Sequence, residues 1–314
     1  MVIINKKFDF LFIKFPIIFP IIYFTSLFYF PNYENLIILT TIFLLAEPHF
    51  GATWPFFFHK SNKNYIEEEK VKLIYFPAII VIFCLIGFFY FKETFLLIFF
   101  AANIFHVTRQ SFGILKLYAE SKNNLDILEN MMYFFNGAFF LIGFFRFYLS
   151  IIPSTNTYLI SLIFGVGIVI CTLFVLFKYK SLNDAIILFT GSVIFFPICF
   201  VDNPVHAIIM GVTMHYSQYI ALTFKVTQGR ENENLVAKKN LLQKINYKFL
   251  FTLLVYSILL TFVSSAGKSQ NEFLKNLILV GIILQMLHFY IDSQLWKFSI
   301  KHNRENVLKF LIKN

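Results

Sequence analysis

The chain has 314 residues, 58% of them hydrophobic and only 14% charged, where soluble domains carry about 25% charged residues. That balance excludes an ordinary soluble domain. The net charge of +10 would suggest nucleic acid in a soluble protein. Here the cations fall between apolar runs, so orientation in a bilayer accounts for them, and no nucleic-acid partner is expected.

Apolar runs of about 20 residues, long enough to span a bilayer, recur along the whole chain. In chain order, spans are expected at 8–30, 36–58, 73–91, 94–118, 128–150, 157–177, 183–200, 204–225, 248–267 and 273–298. The expected fold class is an all-α, polytopic integral membrane bundle of about ten transmembrane helices, forming a single domain over 1–314. The first span is irregular, because Lys14, Pro16 and Pro20 interrupt it. Its basic, apolar start lacks a small-residue cleavage site and reads as a retained span. The seventh span is short enough to be re-entrant. Cys84, Cys171 and Cys199 lie inside apolar runs and show neither metal spacing nor a disulfide framework.

With the N-terminus labelled cytoplasmic, the inner segments hold 22 Lys and Arg and the outer segments hold 3. The split predicts an even number of spans with both termini cytoplasmic, and a place in a bacterial inner membrane is expected. Residues 226–247 form the longest cytoplasmic loop. Leu235, Leu242, Ile245 and Phe249 share a helical face there, opposite several lysines. That pattern suits a helix on the anionic leaflet, or equally a solvated basic connector.

Four of the seven histidines share a pattern. His49, His106, His215 and His288 lie on four different even-numbered spans. Each stands 11, 10, 10 and 9 residues before the next Lys on the cytoplasmic side. At about 1.5 Å rise per residue, the four differ in depth by only about 3 Å. Each also has polar company one turn away: Glu47 and Thr53 around His49, Gln110 after His106, Gln218 after His215 and Asp292 after His288. Polar groups inside lipid are costly and normally face the bundle interior, so one buried polar site is expected. His59 and His302 read as cytoplasmic surface residues, His206 as an interfacial one, and Arg146 as a snorkelling cation.

Imidazole ligates iron, copper and zinc, and a ligating histidine usually passes its other N–H to a carboxylate or amide. His49, His106, His215 and His288 are therefore the expected metal ligands. Gln110 and Gln218 are expected to support the bound cofactor. Asp292, Glu47 and Arg109 are candidate catalytic groups, and either acid is also a candidate direct ligand. One histidine on each of four helices fits a single centre better than a pair of haems. Fe(2+) leads, with another transition metal or zinc as alternatives.

The stretch EPHFG, residues 47–51, and FHVTRQ, residues 105–110, resemble segments of the Brp/Blh type of bacterial membrane β-carotene dioxygenase. Gln110 stands where that family's second histidine does, and the Asp that follows its Pro-His-Gly is missing here. The resemblance implies a non-haem iron oxygenase that uses O2 on a lipid-soluble substrate such as a carotenoid or other isoprenoid. Two other classes stay open at this point: a proton-coupled transporter, and a membrane lipid transferase using buried His, Asp and Glu.

Overall fold

The computed structural model describes residues 2–120, 124–153, 156–233, 246–267 and 272–312. All regular structure among them is helical. Among the described residues, seven helices are long and apolar enough to cross a membrane: α3 (Pro31–Phe57), α4 (Val71–Tyr90), α5 (Lys92–Tyr118), α6 (Leu125–Tyr148), α7 (Thr157–Tyr179), α10 (Tyr247–Ala266) and α11 (Ile278–Leu295). The protein is therefore an integral membrane protein. An eighth candidate is the pair α1 (Lys6–Lys14) and α2 (Ile18–Tyr29), bent by 56°.

The expected ten also included two segments that fail the same test. Helix α8 (Leu182–Val193) is only 12 residues long and ends in a 3-10 turn at Phe196–Cys199. Helix α9 (Pro204–Glu233) has 30 residues, but its many Thr, Ser, Gln and charged residues lower its hydropathy. Residues 226–233 of the expected loop simply continue α9, and 234–245 lie outside the described residues.

Prolines account for three of the widened helical turns. A proline cannot donate to the carbonyl four residues back, and its ring crowds that carbonyl. Widened π turns at Phe10–Lys14, Ile42–Ala46 and Val71–Tyr75 each end two residues before a proline, Pro16, Pro48 or Pro77. The bend after Lys14 frees two carbonyls. Ser217 Oγ donates to Phe12 O at 3.1 Å and Gln218 Nε2 to Ile13 O at 2.7 Å.

The chain divides into two compact units. The first comprises Met1–Ile38 and Asn103–Gln218. In it α8 packs on α6 and α7, and Ser181 caps α8 by accepting from Asp184 N. A Cβ at position 211 would fall on the Ile194 carbonyl, so only glycine lets α9 pass there. Arg146 does not snorkel. It is buried and donates to the Ile198 and Val201 carbonyls and to Asp202, closing the turn that leads into α9. His206 is also buried, with Nδ1 2.8 Å from Tyr23 Oη.

The second unit comprises Leu39–Ala102 and Tyr219–Asn314. Here α10 packs along α3, and α11 packs against α3 and α4. Gly51 admits the Tyr256 ring, since a Cβ there would lie 2.9 Å from ring carbons. The C-terminal turns after Ile300 are held by Asn62, whose amide nitrogen donates to Phe56 O and Phe57 O. The Asn62 oxygen therefore faces His302 and accepts from its Nε2 at 3.0 Å. His302 stacks on Tyr65, with centroids 4.3 Å apart and planes 10° apart. It is thus a packing residue, not the free surface residue expected.

Candidate metal centre

In the second unit, α3 presents His49 and α11 presents His288. The two rings meet edge to face with centroids 4.5 Å apart, and both side chains are fully buried. The π turn at Ile42–Ala46 and the proline before His49 set the local rotation of α3. Such turns recur at functional sites.

A hydrogen-bonded row supports His288. Its Nδ1 lies 2.6 Å from Thr53 Oγ1. Thr53 Oγ1 lies 2.9 Å from Tyr219 Oη, which donates to Asp292 Oδ1 at 2.7 Å. With Asp292 ionised, the group at the end of the row only accepts, and this sets every proton before it. Tyr219 donates to Asp292, Thr53 donates to Tyr219, and His288 Nδ1–H donates to Thr53. His288 Nε2 then carries the lone pair. Asp292 Oδ2 lies 3.8 Å from that nitrogen.

In the first unit, α5 presents His106 and α9 presents His215. Both are buried, with ring centroids 5.3 Å apart and planes 88° apart. Asn103 and Gln110, one turn to either side of His106, each hold a buried carbonyl oxygen with no hydrogen-bond donor. Those acceptors suit an imidazole N–H.

The four histidines make one buried group. Each offers a ring nitrogen, and these atoms all lie within 4.8 Å of one another. Four imidazoles so placed are capable of coordinating a metal ion.

The remaining expected site residues fall in different places. Glu47 is buried on α3, near enough to Tyr256 to interact with it electrostatically. Gln218 spends its amide nitrogen on Ile13 O, while its buried oxygen has no donor. Arg109 is exposed. Sequence reasoning passed over Tyr219, although it stands four residues after His215 and so on the same helical face.

No family model matches the chain, and no curated protein or solved structure matches it.

Proposed function

We propose that this protein is a membrane-embedded, metal-dependent oxidoreductase, with His49, His106, His215 and His288 as ligands of one iron(II). The buried group of four imidazoles carries the reading. Four nitrogens at about 2.0–2.1 Å from one ion stand at most about 4.2 Å apart. From the present spread of 4.8 Å, a trans pair would close by under about 1 Å and a tetrahedral set by about 1.4 Å.

Neutral nitrogen donors suit iron, copper and zinc, and iron is preferred because it supplies O2 activation when bound. The protein's own groups do the remaining work. Asp292, Tyr219 and Thr53 hold His288 in the tautomer whose Nε2 can ligate. Asn103 and Gln110 flank His106 as proton acceptors. The apolar helices around the site exclude water and admit a substrate from the lipid phase, which favours a carotenoid, another isoprenoid or a lipid chain. Arg109 is exposed but acts electrostatically on His106, and it stays a candidate catalytic group.

Ten spans and cytoplasmic termini remain the topology that best fits the charge split of 22 to 3. Helices α8 and α9 supply the two spans beyond the eight candidates. Metal analysis of the purified protein tests the reading, and a folded, iron-supplied preparation that holds no metal would sink it.

A further inference from the structure

Within the first unit, α2, α7, α8 with its following turn, and α9 line a half-open cavity of about 470 Å³. That volume lies in the usual range of ligand pockets. The cavity exists because α1 and α2 diverge at the break before Ile17, and because Gly165 brings no side chain into it.

Its walls are apolar throughout, with Phe24, Val193, Phe196, Met210 and Met214 prominent. A hydroxyl or charge placed there would give up its partners in water and find none in return. Only hydrocarbon suits the space. Met210 and Met214 are unbranched and polarisable, so they adapt to the contour of a chain. His215 follows Met214 directly. Helix α9 thus offers one residue to the cavity and the next to His106.

We propose that this cavity holds a single hydrocarbon chain of the substrate, acyl or prenyl, with its Met214 end directed toward His215. The proposal rests on the oxidoreductase reading and adds to it where the substrate sits.

The test uses full-length protein in phospholipid nanodiscs. Two probes are compared, palmitic acid and geranylgeraniol, each with a photoreactive diazirine near the chain end. A diazirine phospholipid serves as reference, and labelled residues are mapped by mass spectrometry. Labels from one probe should concentrate on Val193, Met210 and Met214 above the reference, and the preferred probe identifies the chain as acyl or prenyl.

Gly165→Leu should cut that labelling about tenfold, the loss that about 1.4 kcal/mol of obstructed binding produces. Val193→Phe should do the same if the first variant does not fold. His106→Ala should keep the label while losing metal. Equal labelling by both probes and the reference, or label confined to outward residues such as Leu159 and Ile163, overturns the proposal even if metal is bound. Selective labelling in a protein that binds no metal keeps the chain site and removes the oxidoreductase reading instead.

Discussion

Thr53 Oγ1 lies 2.6 Å from His288 Nδ1, and this contact decides which edge of the imidazole is left for a ligand. The direction of the row depends on Tyr219, which joins Thr53 to Asp292 by hydrogen bonds on both sides. Tyr219→Phe keeps the ring and removes the joining hydroxyl. Metal affinity is expected to fall about 10–100-fold, with Asp292→Asn in the same range, because both act through the orientation of a ligand. Competition with a chelator measures this. Wild-type affinity in both variants would show that the row does not position His288.

Metal stoichiometry is the most direct test of the four-histidine group. Protein expressed with iron should retain close to one ion per chain. Ala at His49, His106, His215 or His288 should each abolish retention, since three imidazoles in a buried site bind far less well. His59→Ala should leave metal content unchanged, because its Nδ1 serves a local bond to Ser61. Elemental analysis of the five variants distinguishes a shared centre from four unrelated buried histidines.

The four histidines were legible in sequence because depth along a helix is a simple count of residues. Similar distances to the next lysine, 9 to 11 residues, placed His49, His106, His215 and His288 near one level before any packing was known. The partners were only half legible. Helical spacing brought Asp292 to His288, while the amide nitrogen of Gln218, expected at the cofactor together with Gln110, is spent on the Ile13 carbonyl. Spacing fixes a helix face and does not show what that face meets. The neighbour of Gln218 is a carbonyl that Pro16 and the bend after Lys14 left without its helical donor. Arg146 misled for the same reason. A cation near a span end ordinarily snorkels, and nothing local announces the three acceptors 52, 55 and 56 residues further on. The expected ten spans exceed the eight candidates because apolar content alone does not separate a short helix or a polar long one from a clear span.

The reassignment of Gln218 makes its own prediction. Gln218→Leu leaves the buried Ile13 carbonyl without a donor, which costs about 1–3 kcal/mol. Thermal unfolding in detergent should show that loss. Metal content should stay at the wild-type level, because the amide nitrogen serves the backbone. Loss of metal with unchanged stability would instead return Gln218 to the cofactor.

Topology is tested by fusing reporters to the ends of the chain. The split of 22 cations to 3 predicts that both N- and C-terminal fusions report a cytoplasmic position. A C-terminal reporter on the far side would mean that only one of α8 and α9 crosses.

His302 makes the attachment of the C-terminal turns sensitive to pH. Its Nε2–H donates to Asn62, and its Nδ1 faces the Asn306 amide nitrogen at 3.3 Å. A second ring proton would face a donor. Burial holds the imidazole below its ordinary 6.5, and Arg230 pushes the same way, while Glu305 and Glu68 oppose. His59 is lowered as well, first by burial and then by Arg230. A base depressed in the folded state binds fewer protons there than in the unfolded chain. Its stabilisation is therefore complete above about 6.5 and declines as pH falls below that value. Hydrogen exchange over 301–311, corrected for intrinsic rates, should thus be slower at pH 7.5 than at pH 5.5. The comparison is made in a His59→Gln background, so that one imidazole is followed. His302→Phe keeps the stack on Tyr65 and removes the titrating edge, so protection should be weaker and flat with pH. A pH dependence that survives in His302→Phe would mean that another group controls the attachment.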